Sequence, residues 1–132
     1  MIEKNVWTET DFIDMSWHDS LIHSISFPDN NFEFKIELEY IFKWDLNKQN
    51  VYDLWISPCT LIFNDVSNLE ISIDYKDSMS LYISEIIMKN KRKSVNGKVF
   101  LYDYEILLDK GVIKFSASGF KQIVKQQPML LR

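Results

Sequence analysis

Residues 16 to 27, SWHDSLIHSISF, hold both histidines of the chain, His18 and His23, with Asp19 between them. An imidazole beside a carboxylate is held in one tautomer and made more basic, which suits general-base work. Neighbours on a strand face apart, so His18 and Asp19 touch only if they lie in a bend. The same pair can tie an N-terminal segment to a sheet through backbone hydrogen bonds, and this structural role ranks first. A zinc site needs several ligands converging on one point. His18 and His23 are five residues apart, an odd separation that sends side chains on one strand to opposite faces, and no HxH or CxxC spacing accompanies them. No metal or cofactor is expected. His23 shares a two-residue period with Leu21, Ile25 and Phe27, which predicts a core or half-buried histidine with a local hydrogen-bond partner.

Three other groups bear on chemistry. Cys59 is the only cysteine, so no internal disulfide forms. A lone thiol needs a nearby base to act as a nucleophile, and a small buried hydrophobe is the expected role. Glu33, Glu37 and Glu39 line one side of the segment 32–44, with Asp45 just beyond and Asp29 and Asp53 as possible neighbours. Such a strip could hold a divalent cation, serve glycoside chemistry or steer a basic partner, and solvated sheet faces have the same look. Aromatic residues Trp17, Trp44 and Trp55 with His18 form a candidate ligand pocket. No GxSxG, Walker-type glycine loop or dinucleotide fingerprint occurs.

These residues need elements to position them. In FEFKIELEYIFKW (32–44), Phe32, Phe34, Ile36, Leu38, Tyr40, Phe42 and Trp44 alternate with Glu33, Lys35, Glu37, Glu39 and Lys43, and Ile41 is the exception. This predicts a strand with one face on a core and the other in water. At roughly 3.3 Å per residue it is long, about 40 Å, and must bend or curl. PDNN (28–31) reads as a turn. VYDLWISPCTLIF (51–63) is strand-like with an interruption at Pro58, which predicts an edge, a bulge or two strands. Leu69, Ile71, Ile73 and Tyr75 alternate, as do Phe100, Tyr102, Tyr104, Ile106 and Leu108. Met79, Leu81 and Ile83 lose their phase near Glu85, where a bulge is plausible. KNKRKSVNGK (89–98) turns at Asn96-Gly97 and carries cations that read as a solvated hairpin tip, with no aromatic platform evident. Thr8, with Asp11 three residues on, predicts a helical turn or two. Segment 120–127 reads as a last strand or a short helix. The expected fold is all-β and antiparallel, either a sandwich or a strongly curled, barrel-like meander, in one domain spanning 1–132.

The chain has 132 residues, 14% of them aromatic, and a net charge of −4. Residues 1–66 carry 4 Lys/Arg against 12 Asp/Glu, and residues 67–132 carry 11 against 7. An acidic half argues against general nucleic-acid affinity, which needs a basic surface. No apolar run approaches the roughly 20 residues of a membrane span, nor does MIEKNVWTETDF read as a signal peptide. The expectation is a cytoplasmic protein with a protein partner rather than nucleic acid or membrane.

WHDSLIHSISF, LWISPCTLIFNDVSNLEISID and IKFSASGFKQIVKQQP together resemble a group of small uncharacterised bacterial proteins. These share a Trp-His-Asp opening, a Pro-containing strand followed by a Leu/Ile-rich one, and a C-terminal Ser-Gly-Phe segment ending near Pro. Trp17, His18, Asp19, Ser118, Gly119, Phe120 and Pro128 match that pattern. The resemblance implies no catalytic residues. Size, acidity and β content are also similar to those of immunity proteins of bacterial toxin systems. The leading expectation is a non-enzymatic, immunity-like interaction module whose acidic sheet face (Glu33, Glu37, Glu39, Asp45) binds a basic partner. The alternative is a small-ligand-binding protein or hydrolase with a pocket near Trp17, His18, Trp44 and Trp55.

Overall fold

A computed structural model describes residues 4–27 and 32–131. The PDNN turn, with Asp29, lies outside the described residues. In chain order the elements are β1 (Val6–Thr8), a 3-10 helix (Glu9–Asp14), β2 (Ser20–Ser26), β3 (Phe34–Leu46), β4 (Tyr52–Asn64), β5 (Ser67–Ile73), β6 (Tyr82–Lys93), β7 (Phe100–Leu108), β8 (Gly111–Ala117), β9 (Gly119–Val124) and β10 (Met129–Leu131). Thr8 caps the 3-10 helix. Its amide donates to the Asp11 carboxylate at 2.9 Å and its hydroxyl accepts from the Thr10 amide, the reciprocal capping the sequence foreshadows.

The strands form one open antiparallel sheet in the order β1-β9-β4-β3-β2-β6-β7-β8-β5, with β10 added to β4. It is neither a two-sheet sandwich nor a closed barrel. It is nevertheless strongly curled. Strands β4 and β7 stand four places apart, about 19 Å across a flat sheet. Yet the rings of Phe63 on β4 and Tyr104 on β7 are 5.0 Å apart, and those of Phe63 and Phe115 on β8 are 4.7 Å apart. Both halves of the sheet therefore turn their apolar faces onto a shared interior. Chain continuity reinforces the curl. β8 and β9 are separated by Ser118 alone, whose amide donates to the Asn64 carbonyl at 2.9 Å, so one run of chain serves both halves. The basic C-terminal half thereby interleaves with the acidic N-terminal half, and Lys125 pairs with Glu37.

Pro58 lies inside a continuous, central β4. On the far edge of β4, β9 pairs with Cys59–Asn64 and β10 with Leu54–Ile56. The Pro58 carbonyl accepts from the Lys125 amide in the gap between them, so the missing proline N–H faces the same gap. Segment 120–127 is strand β9 and its exit rather than a helix.

Bulges decide which face each side chain takes. Phe34, Ile36, Leu38 and Tyr40 are buried as the alternation predicts. Between Ile41 and Lys43 the register shifts against Ile56 and Trp55. Beyond that bulge Trp44 leaves the interior for the outer face and is 40% exposed, and Ile41 is buried on that same outer face. Phe32 precedes the strand at positive φ and is exposed. A second bulge between Ile22 and Ser24 puts Ile22, not Leu21, on the core side and leaves His23 on the outside with half its side chain exposed. Of the two expectations for His23 the core position is thus corrected, because one extra residue reverses the two-residue period, while its local partner is present in Glu39. The bulge foreseen near Glu85 is present between Ile83 and Glu85.

Candidate interaction site

The site is built where β2, β3, β4 and β10 present their outer face. Asp19 takes a positive φ of 62°, a conformation that aspartate tolerates, and its amide donates to the Ile83 carbonyl at 2.8 Å. This bend lets adjacent His18 and Asp19 approach: Nε2 and Oδ2 are 3.5 Å apart on exposed side chains. His18 Nδ1 lies 3.3 Å from the Ser84 carbonyl, so His18 and Asp19 together fasten the start of β2 to β6. The imidazole stacks on Trp44 with ring centres 6.1 Å apart, and Trp44 meets Tyr52 edge-on at 5.8 Å.

Beside this aromatic shelf is a cavity of about 420 Å³. Leu21, Ile41, Leu54, Ile56 and Leu131 form its apolar lining, and Asp19, Glu39 and Tyr82 add polar groups. Register explains the convergence. Leu21 pairs with Glu39, Ile41 with Ile56 and Leu131 with Leu54, so all lie on one face of adjacent strands. The bulge after Ile41 then keeps Trp44 on that face beside Leu54.

The acidic strip is internally balanced. Burial works against ionisation of Glu37, but hydrogen bonds from Lys125 (2.5 Å) and Thr60 (2.9 Å) outweigh it and hold the carboxyl below its ordinary range. Glu39 lies 3.2 Å from His23 Nε2. Asp45, beyond the bulge, accepts from the Trp55 indole at 3.1 Å and pairs with Lys43 at 3.4 Å. Its register partner Asp53 alternates with Leu54, so Asp45 and Trp55 face away from the cavity. Glu33 sits half-buried just before β3.

The structure therefore brings together His18, Asp19, Trp44 and Glu39, with Glu37 on the same face. It separates them from Trp17, which is 2% exposed inside the core, and from Trp55. Ser20, next to the His18–Asp19 pair, is fully buried and turned from it. Cys59 is also fully buried, and burial pushes its thiol up to about 12, so it stays a neutral thiol rather than a nucleophile. Among the described residues, no group of three or more His, Cys, Asp or Glu is arranged to hold a metal ion. No helix among them is long and apolar enough to cross a membrane. Sequence reasoning missed the cavity. Its visible sign was Ile41, the apolar residue that broke the alternation of 32–44.

Comparison with protein-family models, curated proteins and solved structures returns no match.

Proposed function

We propose that the chain is a non-enzymatic interaction module that binds a basic protein partner on the outer face of β2, β3, β4 and β10. The observation that carries this reading is the placement of two carboxylates, Asp19 and Glu39, on a cavity lined mainly by Leu and Ile. A lysine or arginine of the partner fits such a site: its methylene stem lies on Leu21, Ile41 and Ile56 while its cation meets the carboxylates. His18, Trp44 and Tyr52 supply the aromatic surface typical of binding hot spots. Lys125 already balances Glu37, so the steering of a basic partner falls to Asp19 and Glu39 at the cavity. The likeness in size and acidity to immunity proteins supports a blocking role toward a toxin. Exposure of the His18–Asp19 pair, with no reactive nucleophile beside it, weighs against hydrolysis.

Co-purification with the products of neighbouring genes tests the proposal. A captured basic partner is lost or weakened at least roughly tenfold by Asp19→Lys with Glu39→Lys, about the cost of one desolvated charge pair. Undiminished capture by that double variant overturns the acidic site. The cavity volume also falls in the range of small-ligand sites, which keeps a second reading, a cationic metabolite, in view. A thermal-shift screen with alkylamines separates the two, since a ligand that binds the native state raises Tm.

A further inference from the structure

Between Glu85 and Asp103 the chain has no acidic residue and five cations, Lys89, Lys91, Arg92, Lys93 and Lys98. They ride the hairpin joining β6 to β7. Two are paired toward its base, Lys89 with Glu105 at 2.8 Å and Arg92 with Asp103 at 3.0 Å. A bulge between Lys89 and Arg92, with Asn90 at a φ of 57°, sets Lys91 over Phe100 at 4.6 Å and over Tyr102 at 5.9 Å. The aromatic platform that the sequence did not display is therefore present. At the tip Val95 is fully exposed, and Val99 and Phe100 are also exposed. The turn closes its own hydrogen bonds. The Ser94 amide donates to the Val99 carbonyl at 2.8 Å, Gly97 to the Ser94 carbonyl at 2.9 Å, and Lys98 to Asn96 Oδ1 at 3.0 Å. Backbone groups bonded internally lose least on leaving water.

We propose that this hairpin tip docks on an anionic lipid surface. Val95, Val99 and Phe100 enter the boundary between headgroups and acyl chains, and Lys91, Lys93 and Lys98 meet the anionic headgroups. The net negative charge of the chain does not oppose this, because charges beyond about 8 Å are largely screened at physiological salt and the tip responds to its own cations. Single-stranded nucleic acid fits less well. Aliphatic Val95 and Val99 offer nothing to a base, and the Phe100 ring already carries the Lys91 ammonium where stacking needs a free face.

Co-sedimentation of the full chain with phosphatidylcholine vesicles, with and without phosphatidylserine, tests the proposal. Phosphatidylserine is expected to tighten binding by at least roughly tenfold, and raised salt to release it. Val95→Asp is expected to weaken binding by about tenfold through loss of apolar insertion. The combination Lys91→Glu, Lys93→Glu and Lys98→Glu is expected to abolish it. Unchanged melting curves verify that these tip variants fold; should one fail to fold, salt release of the wild-type chain stands as the independent measure. No gain from phosphatidylserine, retention at high salt, full binding by Val95→Asp, or tighter binding to a single-stranded RNA than to the vesicles would each overturn the assignment.

Discussion

Trp17 donates its indole N–H to Gln122 Oε1 at 2.8 Å, and both residues are buried. The indole also meets Tyr40 and Phe120 edge-on, at 6.0 and 5.7 Å. A polar anchor inside an apolar core ties the segment before β2 to β9, a separation of 105 residues in the chain. Removing the ring costs both packing and the hydrogen bond, so Trp17→Ala is expected to lower stability by about 3–5 kcal/mol in urea unfolding. Trp17→Phe keeps most of the ring area and leaves the Gln122 oxygen unpaired, for a smaller loss of about 1–3 kcal/mol. The Trp-His-Asp opening thus divides its labour. Trp17 builds the core, while His18 and Asp19 stay at the surface. Sequence alone could rank His18 and Asp19 as structural or functional candidates but could not separate Trp17 from them, because a strand-entry bend has no period to read.

At the scale of elements, turns and bulges carry the specificity. Among the described residues, five of the six non-glycine positions at positive φ are Asp or Asn: Asp19, Asn50, Asp65, Asn68 and Asn90. Their short polar side chains tolerate a conformation that β-branched residues resist. Asn50 closes the β3–β4 hairpin, where its amide donates to the Asn47 carbonyl at 3.1 Å and its side chain is exposed. Asn50→Gly is expected to be close to neutral, whereas Asn50→Val costs about 1–2 kcal/mol, measurable as a lowered midpoint in chemical unfolding. A neutral Asn50→Val would mean that the hairpin relaxes into another turn. The bulges matter more for function. Without the shift after Ile41, Trp44 would lie in the interior and the shelf beside the cavity would not exist. The alternation of 32–44 was legible; the position of the slip was not, because a bulge is set by pairing with β4 rather than by β3 itself.

For the whole molecule, electrostatics predicts acid lability. Among the described residues, five carboxylates lie below their ordinary range. Burial raises Glu37 and Asp109, but hydrogen bonds overcome it: Lys125 and Thr60 on Glu37, the Tyr82 amide and Lys110 on Asp109. Lys4 and the Thr8 amide hold Asp11 down, Asn90 and Ser116 hold Asp103, and Lys89 holds Glu105. A carboxyl depressed on folding contributes stability above its unfolded pKa and loses it as pH falls through the folded value. Thermal unfolding should therefore hold steady above about pH 5 with respect to these groups and decline below about pH 4. Glu37→Gln should be less stable than the wild type near neutrality, with the difference shrinking in acid; a constant difference would exclude the Lys125 and Thr60 bonds as its source. The sequence by itself determined most of the longer strands, their dominant apolar face and the all-β class, because a two-residue period is a local property of the chain; the short β1 and β10 carry too few residues to show one. It also showed the capping of the first helical turn and the slip near Glu85. Only the tertiary structure decided the strand order, the curl that joins Phe63 to Tyr104, and the gathering of Leu21, Ile41, Leu54 and Leu131 around Asp19 and Glu39. Those depend on register between strands distant in sequence, where one inserted residue moves a side chain from one face to the other; a broken alternation, as at Ile41, marks that something slips without saying which strands meet there.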